Sequence, residues 1–66
     1  LKRRAFVLEL LKIDEASELL RLKRITIYKM VSRKAIPFVK IGSSLRFEKK
    51  ALEKWIEQRS YMPLHD

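Results

Sequence analysis

The chain has no cysteine, one histidine, one glycine and two prolines in 66 residues. Each scarcity removes a class of protein. Without cysteine there is no disulfide staple and no thiolate metal site. The single histidine, His65, stands in the last residues of the chain. That excludes a His-pair metal site and leaves most acid–base and nucleophilic chemistry without its usual carrier. No paired carboxylates, nucleophile–base arrangement or phosphate-cradling glycine loop is legible, so neither an enzyme nor a cofactor is expected. No apolar run approaches the ~20 residues that span a bilayer. With one glycine, few sharp turns and much helix are expected.

Charge is what the chain has. Sixteen Lys and Arg stand against eight Asp and Glu, a net charge of +8 at a pI near 10.2. That field favours a polyanion, nucleic acid first and an acidic membrane surface second. A merely solubilising surface is the plain alternative. With 47% hydrophobic residues the chain is globular rather than disordered. At 7.9 kDa it holds one small domain. A chain of this size buries only ~60% of its unfolded surface, so its core is thin.

The segment 1–10 opens on Lys2-Arg3-Arg4 and reads as a basic arm, either a solvated tail or one that tracks a nucleic-acid backbone. Phe6, Val7, Leu10 and Leu11 fit one helical face, although Leu10–Ile13 fits a brief strand equally well. The basic start and short apolar stretch lack the small-residue cleavage site of a secretory signal.

Asp14 reads as a helix N-cap, with Glu15 and Glu18 early in the helix where its dipole favours negative charge. Ala16, Leu19 and Leu20 give that helix, about residues 14–21, an apolar face. A second helix is predicted from Lys23 or Arg24, with Ile27 and Val31 toward the core and Pro37 as its stop. About three residues separate the two, which makes a helix-turn-helix.

From Phe38 the period changes to two. Val39 and Ile41, then Leu45 and Phe47, flank Gly42-Ser43-Ser44, the signature of a hairpin with a three-residue loop. On that register Val39, Ile41, Leu45 and Phe47 share the core face, and Lys40 and Arg46 share the solvent face. Helical spacing returns over residues 48–60, where Ala51, Leu52, Trp55 and Ile56 form an apolar stripe with Trp55 as a core anchor. Residues 61–66 read as a tail.

The order helix, tight turn, helix, two-stranded wing, helix makes residues 11–60 a winged helix-turn-helix: mainly α with a small β-hairpin. A major groove ~12 Å wide accepts one helix while the helix before it braces on the backbone. The second helix turns Arg24, Thr26, Lys29 and Arg33 away from Ile27 and Val31. Arg can grip a guanine edge with two hydrogen bonds, and a Thr methyl can meet a thymine methyl. Lys29 and Arg33 can equally sit on phosphates. Ile25 either meets a thymine methyl or packs under the N-terminal segment. Tyr28 offers a ring to the core and a hydroxyl to a phosphate. At the wing, Ser43 and Ser44 offer hydroxyls and amides, and Lys40 and Arg46 offer charge. The plain alternative is that these are only the wet faces of two elements. A protein-interaction module is the competing class, because Phe38, Ile25 and residues 6–11 are candidates for exposed apolar surface.

The run from Leu11 to Arg59 resembles the excisionase-type, AlpA-like helix-turn-helix domains, relatives of the DNA-binding part of the MerR regulators. The resemblance is carried by Ile13-Asp14-Glu15-Ala16, Arg24-Ile25-Thr26-Ile27-Tyr28-Lys29, Ile36-Pro37-Phe38-Val39-Lys40-Ile41-Gly42, Leu45-Arg46-Phe47 and Leu52-Glu53-Lys54-Trp55-Ile56. It implies double-stranded DNA as partner, with an integrase or further copies of the chain as additional partners. It implies work as a recombination directionality factor or small transcriptional regulator of a phage or mobile element, in the bacterial cytoplasm at the nucleoid. Carried onto this chain, it places Arg24, Ile25, Thr26, Tyr28 and Lys29 at the groove and Lys40, Ser43, Ser44 and Arg46 at the wing. The departures are Arg21 and Lys34, where the family usually has glycine, and Lys23, where it often has a serine cap. A non-glycine residue in the left-handed region costs ~1 kcal/mol, as does a lost cap. Ser43 and Ser44 also stand where the wing tip commonly carries basic residues, which weakens the expected phosphate contact there.

Overall fold

Three helices and three short strands follow one another in a computed structural model that describes residues 8–60. They are β1 (Leu10–Leu11), α1 (Ile13–Leu20), α2 (Arg24–Ser32), β2 (Val39–Ile41), β3 (Ser44–Glu48) and α3 (Lys49–Arg59). The basic triplet, most of the N-terminal arm and the tail from 61 lie outside the described residues. Leu10–Leu11 takes the strand alternative, pairing antiparallel with β3 through Leu10–Glu48 and Leu11–Phe47. The Lys49 amide donates to the Glu9 carbonyl at 2.9 Å and extends that ladder.

Helix α1 starts one residue earlier than its spacing predicts, and Asp14 is not its cap. Lys12 holds that position in an extended conformation, and its ammonium, having no lone pair, cannot accept from the first turn. Glu15 does the capping that is done: its Oε1 accepts the Lys12 backbone N–H at 2.8 Å. Arg21 ends the helix at φ 58°. The Leu22 amide then donates to the Ser17 carbonyl at 3.2 Å. The Ser17 hydroxyl crosses the turn to the Leu22 carbonyl at 2.6 Å. These bonds hold the three-residue corner.

Helix α2 stops well before Pro37. Lys34, at φ 57°, closes a Schellman motif: the Ala35 amide donates to the Met30 carbonyl at 2.8 Å and the Lys34 amide to the Val31 carbonyl at 2.9 Å. Both helices therefore end on a left-handed basic residue where glycine would be unstrained. Lys23, at the N-cap of α2, makes no side-chain cap bond.

The hairpin differs from its predicted register by one residue. Ile41 pairs with Ser44, Lys40 with Leu45 and Val39 with Arg46, so the loop is Gly42-Ser43 alone. Gly42 has φ +62° and Ser43 does not share the positive sign, the pattern of a type II′ turn. Residues directly opposite share a face, so β2 is turned over relative to expectation. Leu45 and Phe47 face inward together with Lys40. Val39 and Ile41, 37% and 53% exposed, lie outward with Arg46 and Leu10. Lys40 and Arg46 are thus on opposite faces, and Val39 and Ile41 are not core.

The sheet order is β1-β3-β2, which puts Phe47 of the middle strand at the centre. Around it are buried Leu11, Ala16, Ile27, Ile36 and Leu52. One residue from each helix is fully sealed: Ala16, Ile27 and Leu52, each at 0% exposure. Val31, Phe38, Leu45 and Trp55 pack on this cluster half-buried, so Phe38 is not the exposed apolar residue its position suggests. The Arg59 guanidinium lies over the Trp55 ring, 4.6 Å from its centroid.

Candidate nucleic-acid interface

Helix α2 is fixed to the core by Ile27, with Met30 and Val31 packed half-buried beside it, and its opposite face is open. Arg24 is the first residue of the helix and exposed. Ile25 is 58% exposed and Tyr28 47%. Lys29 is exposed, Thr26 is half-buried, and Arg33 is exposed just past the helix end.

The wing lies beside this helix. One cleft between them is lined by Tyr28, Val31, Lys40, Ser43, Ser44, Leu45 and Arg46, with Lys12, Ile13 and Asp14 closing its α1 side. Five of the ten expected contact residues meet there: Tyr28, Lys40, Ser43, Ser44 and Arg46. The register explains how Lys40 arrives. Paired with Leu45, it lies on the inward face of β2, the side that lines the cleft. Arg46 is half-buried and donates from Nη1 to the Leu45 carbonyl at 2.8 Å.

A second cleft, at the corner of α1 and α2, is lined by Asp14, Ser17, Glu18, Lys23 and Arg24. Here the Arg24 guanidinium is hydrogen-bonded and ion-paired to the Asp14 carboxylate. That hydrogen bond, and then the negative charge itself, raises the Arg24 pKa above its ordinary value. Arginine is charged at every pH where a protein folds, so the shift confers no pH dependence in that range. Ile25, Thr26, Lys29 and Arg33 line neither cleft.

Three participants escaped the reading of the sequence as sites: Lys12, Lys23 and Asp14. Only Lys23 had a signal: it stands at the predicted start of α2 and has no lone pair with which to cap it, whereas Lys12 reaches a cap position only through the early start of α1. A broader signal lies in the order of charges. Residues 21–47 contain eight Lys and Arg and no Asp or Glu, while the rest of the chain carries eight of each sign. The whole net charge of +8 therefore sits on the turn, α2 and the wing.

Two helices joined by a tight corner, a two-stranded wing and a closing third helix make this a winged helix-turn-helix fold. The model of the family described as "Helix-turn-helix domain" matches residues 10–60. The chain belongs to that family, and with it to a class of domain whose partner is DNA. No curated protein and no solved structure matches it. Among the described residues no helix is long and apolar enough to cross a membrane.

Proposed function

We propose that this domain reads double-stranded DNA sequence without catalysis, with α2 in the major groove and the wing on the flanking backbone or minor groove. The observation that carries the reading is the cation-only segment 21–47 folded into one helix and one hairpin around a shared cleft. Arg24, Ile25, Thr26, Tyr28 and Lys29 are the groove residues, and Arg33, Lys40, Ser43, Ser44 and Arg46 lie on or near phosphates. The resemblance to excisionase-type domains supports the finer role of a recombination directionality factor or small regulator of a phage or mobile element.

Fluorescence titration against short duplexes tests this. Neutralising about six phosphates gives a slope of log K on log salt near −5. Arg46→Ala should weaken all duplexes about equally, and Thr26→Ala should relax base preference. Absence of affinity for any duplex at low salt would refute the reading.

A protein-interaction role is favoured by one observation of its own. Val39 and Ile41 leave exposed apolar side chains on the outer face of the edge strand β2, with Leu10 exposed on the opposite edge beyond the polar Ser44, Arg46 and Glu48 of β3, a surface that a DNA-bound integrase or a further copy of the chain could cover. Chemical shifts that move at these residues on adding such a protein, and not on adding DNA, would identify it.

A further inference from the structure

We infer that Asp14 is a positioning residue for base recognition: its carboxylate holds the Arg24 guanidinium in the orientation from which it reads a guanine edge. The inference rests on α2 being the reading helix.

The first turn of a recognition helix is the part that reaches base edges, and Arg24 opens α2. A free arginine side chain samples many rotamers, and a two-bond grip on guanine needs its planar fork in one orientation. Asp14 removes that freedom. It occupies one of the five guanidinium donors, at Nη1, and leaves the others open. The pair is not sealed: the Arg24 and Asp14 side chains are 60% and 69% exposed. A ligand can therefore reach the fork while it is held. Both ends are anchored. Asp14 lies two residues before Ala16 and Arg24 three residues before Ile27, and both of those residues are fully buried. The orientation is thus set by the packing of α1 on α2.

Stability does not account for the pair, because ion pairs open to water contribute little to folding. Attraction to DNA does not account for it either. Asp14 is the acidic residue lining the α2–wing cleft, and it also lines the corner cleft. Beside the cation-only segment, a carboxylate repels phosphate everywhere. Its place in the first turn of α1 suits the helix dipole, but that needs no contact with Arg24; toward DNA it helps only where a held Arg24 returns the loss at the correct base, which is how a repulsive group sharpens a choice between partners.

The experiment compares wild type, Asp14→Ala, Asp14→Asn, Arg24→Ala and the Asp14/Arg24 double alanine variant. Each is titrated on the duplex selected by wild type, on its single-base substitutions, and on random duplex. Thermal melts confirm that each variant is folded. In wild type, one guanine whose replacement weakens binding about tenfold should become unimportant in Arg24→Ala. In Asp14→Ala the ratio at that position alone should fall to about threefold or less. Affinity for random duplex should be unchanged or higher. Asp14→Asn, which keeps an acceptor without the charge, should fall between. The double variant should discriminate no worse than Arg24→Ala, because the two residues act as one unit. A lost fold would lower all affinities together and spare no ratio. If Asp14→Ala keeps the guanine preference, or the double variant's losses add, the inference about Asp14 is wrong while DNA reading stands. If wild type shows no guanine preference that Arg24→Ala removes, the groove role of Arg24 falls and takes this inference with it.

Discussion

Lys12, Arg21, Lys23 and Lys34 occupy the positions where α1 and α2 begin and end. Serine or aspartate at the starts and glycine at the stops would stabilise those helices better. Each basic residue instead leaves its helix with an uncapped amide or a strained backbone. Arg21 and Lys34, at φ 58° and 57°, carry strain of about 1 kcal/mol each. Arg21→Gly and Lys34→Gly should therefore each raise the melting temperature, by up to about 4–8 °C for a domain of this size. Each also removes an exposed charge from the segment that carries the whole net charge. Where that charge meets a phosphate, the slope of log K on log salt should shrink by about 0.9. Melts and salt titrations on the same samples check both signs. A variant that is steadier and binds DNA unchanged would show its basic residue to be of no use in binding.

At the scale of elements, the hairpin decides which residues are structural. With Ile41 outward and Phe47 inward, Ile41→Thr should change stability by no more than about 0.5 kcal/mol. Phe47→Ala, at the sealed centre of the sheet, should remove about 3–5 kcal/mol and leave little folded domain. Urea titrations separate these outcomes. Equal losses would mean that both side chains face the core. The helices were legible in the sequence to within a residue or two, except for the early stop of α2 before Lys34, because Ala16, Leu19 and Leu20, then Ile27 and Val31, then Leu52, Trp55 and Ile56 recur three or four residues apart within each helix. The strands were legible as strands, but β2 was not legible in its facing. Gly42-Ser43-Ser44 can be cut as a three-residue or a two-residue loop, and a shift of one residue exchanges the faces of a strand. Gly-Ser alone is a sufficient type II′ turn. Apolar alternation argued the other way, because Val39 and Ile41 look like core until the thinness of the domain is considered: Phe47 already fills it. Lys12 and Asp14 entered the candidate site unseen because their neighbours there come from α2 and the wing, which only the packing of α1 on α2 and β3 brings near.

For the molecule as a whole, the thin core and the concentrated charge act on the same equilibrium. A chain of 66 residues has little apolar surface to bury, and gathering eight cations with no acid into residues 21–47 adds repulsion within the folded state. A duplex relieves that repulsion and binds the native shape, so it should stabilise the fold. At a free concentration about 100 times Kd the gain is about 2.7 kcal/mol. That corresponds to a melting-temperature rise of roughly 10–20 °C for so small a domain. The unfolded chain keeps its charge of +8 and also attracts DNA, which subtracts from the gain. The subtraction is nearly the same for any duplex of equal length, because it depends on phosphates and not on bases. The melting temperature on the selected duplex, less that on a scrambled one at equal concentration, therefore isolates what the folded helix and wing recognise. That difference should be positive at low salt. It should narrow less than either rise alone as salt increases, because base contacts release few counterions. Rises that are equal on both duplexes and vanish together with salt would mean that the fold gathers charge and reads nothing.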